Sequence, residues 1–167
     1  MALNATVGSP DANSYVTVAE AASYFANRTH SEAWGEFDGQ SAALCTASQM
    51  LDWYVKWKGY RSTTTQSMMW PRTEVTRRDG TLVDDSIIPP ELKVAVYELA
   101  LSSLDADRTA DDPLAGIDQV KAGTLMVKAS VGGIDSTAED VIPEKIWKIL
   151  SDLYSIGETS VVRLMRA

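Results

Sequence analysis

The chain has 167 residues, 45% hydrophobic and 23% charged, ordinary values for one globular domain or for one core plus an appendage. Its formal net charge is -8, its pI lies near 4.6, and no basic cluster is longer than Arg77-Arg78. It therefore lacks the basic patch with which a tight nucleic-acid binder displaces counterions, although DNA can still pass close by.

No apolar run approaches the roughly 18 residues that a membrane span needs. The amino-terminal MALNATVGSPDANSY has neither the basic start nor the apolar stretch of a secretory signal, so action or assembly in the cytoplasm is expected. Residues 1–13, polar and holding Gly8, Pro10 and Asn13, read as a flexible leader. Thr17-Val-Ala-Glu20 is a capping box, and Val18, Ala21, Ala22 and Phe25 follow at the spacing of one helix face. Ser31 can open a short turn carrying Trp34. Asp38 or Ser41 starts the next helix, striped by Ala43, Leu44, Ala47, Met50, Leu51 and Tyr54, with Lys58-Gly59 as its expected close.

Residues 60–86 lack periodicity and read as a long ordered loop, which in a compact domain is usually functional or well packed. Met68, Met69 and Trp70 give it something to bury. Trp70-Pro71-Arg72 is expected to pin it or to make a subunit contact, with Arg72 reaching a carboxylate or carbonyls of the same or a neighbouring subunit. Proline fixes its own backbone and restrains the residue before it. Ile87-Ile88-Pro89-Pro90 opens a helix apolar on most of its circumference, with Leu92, Ala95, Val96 and Leu99 on one face and Val94, Tyr97, Leu101 and Leu104 widening it. That helix belongs at the centre of a core, together with Phe25, Leu44 and Leu51.

The last third changes character. Asp111-Asp-Pro-Leu-Ala-Gly116 reads as a linker, and Val120 to Val131 as a strand or hairpin arm before Gly132-Gly133. Pro143 starts a helix faced by Ile146, Trp147, Leu150 and Leu153 or Tyr154, and Gly157 ends it. Ser160-Val-Val-Arg-Leu-Met-Arg-Ala167 is strand-like and free of acid. The predicted fold is mainly α: a small helical bundle with a long ordered loop over residues 14–112, then a strand or hairpin, a helix and an extended tail over 113–167, in the same domain or as an arm.

Motifs of chemistry are sparse. The single His30 has no second histidine for a metal pair, and no GxSxG elbow, phosphate loop or GxGxxG occurs. Asp105, Asp107, Asp111 and Asp112 lack the pattern of a calcium loop and read as a solvated helix end. Cys45, within a helical pattern, reads as a small core hydrophobe. Trp53, Trp57 and Trp70, with Tyr54 and Tyr60, lie among Lys56, Lys58, Arg61 and Arg72. Such interleaving can stack single-stranded bases. Trp53 and Trp57 are four apart, as if on one helix face, and packing is the reading the acidic composition favours. The expectation is a non-enzyme with no catalytic residue, metal or cofactor.

Tyr15-Val-Thr-Val-Ala-Glu-Ala-Ala-Ser-Tyr-Phe25, Ala43-Leu44 with Leu51-Asp52, Trp57-Lys-Gly-Tyr-Arg61, Trp70-Pro-Arg72, and Ile88-Pro89 with Ala95 and Glu98-Leu-Ala100 occur in that order. The series resembles a family of small proteins of tailed bacteriophages, the helical head–tail connectors or adaptors, some of whose members are labelled DnaT-like single-stranded-DNA-binding proteins. It covers about residues 14–101, and Val120-Lys-Ala-Gly-Thr-Leu with the final Val-Val-Arg is loosely similar to connector tails. The resemblance implies a structural virion protein at the head–tail junction: a homo-oligomeric ring, dodecameric to match the portal, with double-stranded DNA passing through without tight binding. Its partners would be the portal protein and the next head- or tail-completion protein. Val161, Val162, Arg163, Leu164, Met165, Arg166 and Ala167 are the expected portal interface, an extended end of a kind that can add a strand to a partner's sheet. Pairing of that tail within its own chain is the other possibility. A single-stranded-DNA-binding replication accessory is the alternative function.

Overall fold

The computed structural model describes residues 2–104, 119–122, 125–128 and 141–155. Helix α1, Val18–Phe25, begins at the capping box: the Glu20 N–H donates to Thr17 Oγ1 at 3.2 Å, and Glu20 Oε2 accepts from the Thr17 N–H at 2.8 Å. Helix α2, Glu32–Glu36, is one turn that places Trp34 against Phe25, ring centroids 4.7 Å apart. Helix α3, Gln40–Tyr54, buries Leu44, Ala47, Met50 and Leu51. Helix α4, Pro90–Ser102, opens with proline in the first turn, where a missing N–H costs nothing, and buries every residue from Ala95 to Ala100. Helix α5, Glu144–Ile149, follows Pro143 and turns Ile146 inward.

The fold is mainly helical. α4 is its centre, packed against both α3 and α5, with α1 on α3. Phe25, Leu44, Leu51, Leu92, Val96 and Leu99 lie in one buried cluster, joined from the C-terminal part by Ile142, Ile146, Leu150 and Leu153. Two small antiparallel sheets complete it. β1 (Tyr60–Arg61) pairs with β2 (Arg72–Thr73) in the register Tyr60↔Thr73, and β3 (Gln119–Ala122) pairs with β4 (Leu125–Lys128) as a hairpin.

Three features differ from the sequence reading. Helix α3 stops at Tyr54 rather than Gly59, because Val55 turns extended and the next residues pair with the C-terminal part: Trp57 bridges Tyr154, and the Lys58 N–H donates to the Leu153 carbonyl at 3.1 Å. Trp53 and Trp57 consequently do not share a helix face. The segment 60–86 contains β1 and β2 and a further turn of hairpin, closed by the Thr76↔Leu82 bridge. Residues 2–13, read as a leader, carry specific bonds. The Asn4 N–H donates to Asn13 Oδ1 at 2.7 Å, and the Ser67 hydroxyl donates to the Ala12 carbonyl at 2.6 Å.

Candidate functional site

Tyr15, Asp52, Gly59, Trp70 and Arg72, among the residues that carry the family resemblance, converge on one knot. Asp52, on the last turn of α3, accepts from the Tyr15 hydroxyl through Oδ1 and from the Met69 N–H through Oδ2 at 3.1 Å. The Tyr15 oxygen in turn accepts from the Trp70 N–H at 3.2 Å. Trp70 is fully buried, its ring edge-on to Trp57 at 5.7 Å, and its bond to Pro71 is cis. Arg72 is buried and spends its guanidinium on carbonyls of its own chain: Nε on Lys58 at 2.7 Å, Nη2 on Gly59 at 2.5 Å, Nη1 on Met69 at 3.2 Å. Of the partners its sequence left open, these carbonyls are the ones it meets. Gly59 has φ +64, and a Cβ there would stand 2.1 Å from the Thr73 carbonyl oxygen, so the crossing of β1 and β2 requires glycine. Gln66, which the sequence did not single out, is buried and bonds Met68, Pro71 and Thr63, holding the loop from inside.

Burial sets the electrostatics of the knot. It raises the Asp52 carboxyl to about 6, a shift that the Tyr15 hydroxyl and the Met69 N–H partly oppose. Burial and then the Asp52 charge push the Tyr15 hydroxyl well above its ordinary value. A second buried centre lies on α4. Glu98 accepts from Arg28 Nε at 2.6 Å, Tyr24 Oη at 2.6 Å and Lys145 Nζ at 2.6 Å, tying α1 and α5 to α4. Burial alone would raise its carboxyl, but the bonds from Arg28, Lys145 and Tyr24 prevail and hold it at about 2. Neither centre presents a nucleophile with a base at an open surface; both act as joints.

Outside the knot, exposed aromatic and basic residues alternate along residues 53–61. Trp53 is 71% exposed and Tyr60 68% exposed. Met69, bonded to Asp52 and to Arg72, is exposed, as are Lys56 and Arg61, the latter donating to the Gln66 carbonyl at 3.2 Å. The sequence reading of Trp53 as a packing residue is overturned: it projects into solvent one residue before α3 ends. Such residues can stack unpaired bases or anchor a protein partner. Most other cations are already engaged. Arg77 pairs with Glu91, Arg78 with Asp152, Lys93 with Glu20, and Lys148 with Glu144.

The remaining candidates are quickly placed. His30 is exposed, with a left-handed backbone at φ 57, and its carbonyl accepts from Arg28. Cys45 is half-buried on α3, its thiol 3.6 Å from Asn13 Oδ1, and burial raises its pKa. Among the described residues, no group of three or more His, Cys, Asp or Glu side chains is placed to hold a metal ion, and no helix is long and apolar enough to cross a membrane. Asp105, Asp107, Asp111, Asp112, Gly132, Gly133, Gly157 and the tail residues Val161, Val162, Arg163, Leu164, Met165, Arg166 and Ala167 lie outside the described residues.

No curated protein and no solved structure matches the chain. A family model does, over residues 1–167, and the chain belongs to the family described as "Putative DnaT-like ssDNA binding protein".

Proposed function

We propose that this protein is a structural, non-enzymatic subunit of a phage head–tail connector: a ring beneath the portal through which DNA passes. The observation that supports it best is what the motif residues do. Tyr15, Asp52, Gly59, Trp70 and Arg72 meet inside the protein and fix one loop to one helix. A sequence signature made of interior joints belongs to a scaffold, whereas a catalytic or nucleic-acid site needs its signature at the surface. The charge of -8 suits a passage that leaves duplex DNA mobile, because acidic walls repel phosphates.

On this reading the subunits form a dodecameric ring at the head–tail junction of the virion. Residues 161–167 reach the portal protein, and the opposite side receives the next head- or tail-completion protein. The test is to mix the purified chain, and a version lacking residues 160–167, with portal-bearing heads and image both by electron microscopy. A ring under the portal with the full chain, absent with the truncated and still folded one, is expected. Heads that never acquire a ring from the full chain would end the proposal.

A second reading, single-stranded-DNA binding, has one observation in its favour: the exposed Trp53 and Tyr60 beside Lys56 and Arg61. Acidity opposes it, because counterion release supplies most of the affinity of such binders. Retardation of an oligonucleotide at physiological salt, abolished by Trp53→Ala, would favour it over the connector.

A further inference from the structure

Two groups of exposed apolar side chains stand out, and they differ in charge. One is the Trp53 face, flanked by Lys56 and Arg61. The other is an open cleft lined by Thr73, Glu74, Leu82, Val83, Asp84 and Asp85. Its frame is a hairpin in which the Val83 N–H donates to the Val75 carbonyl at 2.9 Å. Alternation along that strand buries Val83 and leaves Leu82 70% exposed in the cleft. Asp84 accepts from the Ser86 N–H and hydroxyl, while the carboxylates of Glu74 and Asp85 have no hydrogen bond or ion pair among the described residues. An exposed leucine among three carboxylates calls for an occupant that is both apolar and cationic.

We propose that the cleft holds this chain's own C-terminal segment, residues 160–167, with Leu164 or Met165 on Leu82 and Arg163 and Arg166 against Glu74 and Asp85. Charge selects that segment. Of the stretches outside the described residues, 105–118 is rich in aspartate and 129–140 has three acids and no basic residue, whereas 160–167 carries two arginines, four large apolar residues and no acid. The same charge rules out the Trp53 face, where Lys56 and Arg61 would repel it.

Length permits it. The last described residue is fixed, since the Ser155 N–H donates to the Lys56 carbonyl at 2.8 Å. From Lys56 the chain runs four residues to Tyr60, whose strand partner Thr73 lines the cleft. At about 3.3–3.6 Å per residue, plus two strand spacings of about 5 Å each, the cleft edge lies within about 24 Å of Ser155. Nine residues, from Ser155 to Leu164, reach about 30 Å at the same rate and cover that span. A tether of this length also gives the segment a local concentration on the order of millimolar, ahead of any second copy in dilute solution. This inference does not depend on the ring. On the connector reading, the portal and the cleft compete for one segment.

The test is paramagnetic relaxation in the full chain. A nitroxide is placed on Ala167→Cys in a Cys45→Ala background, and amide signals of the isotope-labelled protein are followed. Selective broadening of Val83, Asp84 and Asp85 is expected, relieved at least threefold by Glu74→Lys with Asp85→Lys, two exposed side chains whose carboxylates have no partner among the described residues. Broadening at Trp53 and Tyr60 instead, or none at the cleft, overturns the proposal. So does equal broadening of isotope-labelled, nitroxide-free chains when nitroxide-bearing, unlabelled chains are mixed with them, which would make the occupant a second copy. Portal binding is not part of the readout, so this test can fail or succeed independently of the connector assay.

Discussion

Replacing Glu98 by glutamine removes a charge from the centre of the molecule while keeping its shape. In the native protein the carboxylate is 5% exposed and accepts from Arg28, Lys145 and Tyr24, and its pKa is lowered to about 2 from an ordinary 4.5. A depressed folded-state pKa means stability that is present above the unfolded value and is lost as pH falls from about 4.5 towards 2. At about 1.4 kcal/mol per unit, the full shift would be worth roughly 3.5 kcal/mol. The Arg28 and Lys145 side chains are 24% and 56% exposed, so water screens part of this, and about 2 kcal/mol is the expected loss for Glu98→Gln at pH 7. Urea titrations of both proteins at pH 7, 4.5 and 2.5 measure it. The difference should be largest at pH 7 and shrink towards pH 2.5, where the unfolded carboxyl is neutral and the folded one begins to take up its proton. An equal difference at pH 7 and pH 2.5 would show that packing at position 98, not charge, holds α1 and α5 to α4.

Asp52 has the opposite sign. Its pKa is raised to about 6, so its ionisation costs stability above that pH, and the protein should gain stability from this group as pH falls from about 6 towards 3.8; Asp52→Asn should flatten that part of the pH profile in the same titrations. Tyr15→Phe deletes the hydroxyl that joins Asp52 to the Trp70 N–H and should cost about 1–3 kcal/mol by denaturant unfolding, the range for an orphaned buried polar group. Leu99→Ala, at a fully buried position on α4, should cost about 2–5 kcal/mol, and a thermal shift near zero would contradict its place in the core. The isolated chain should not bind single-stranded DNA with sub-micromolar affinity at physiological salt, as read by fluorescence anisotropy.

The helices were legible because their signals are local. Thr17 and Glu20 are three residues apart, and Pro90 sits in the first turn of the helix it opens. The knot was legible only as a list of residues. Tyr15, Asp52 and Trp70 are separated by 37 residues or more along the chain or joined through a loop, and no periodicity encodes such contacts. β1 and β2 are two residues each, too short for alternation to appear. Trp53 misled for a definite reason. Its spacing to Trp57 is helical, but residues 56–58 gain partners in the C-terminal part, and that pairing overrides the helical propensity beyond Tyr54. Glu98 lay within an apolar helix face, and its three donors come from positions 24, 28 and 145, far from it in sequence.

The knot and the exposed aromatic face are one construction. Asp52 precedes Trp53 on the last turn of α3, and its bond to Met69 fixes the loop at that end. Arg72 grips the Lys58 and Gly59 carbonyls immediately before Tyr60, fixing the other end. The backbones next to Trp53 and Tyr60 are therefore held by hydrogen bonds while their rings stay in solvent. Holding large rings rigid before contact removes much of the ordering entropy that a flexible surface would lose on binding. That economy serves a protein partner as well as a nucleic acid. What separates the two is the surrounding field: a phosphate chain must approach a molecule of charge -8, whereas a protein partner needs only a matching surface. The electrostatics thus favour a protein over a nucleic acid as the partner of these rings.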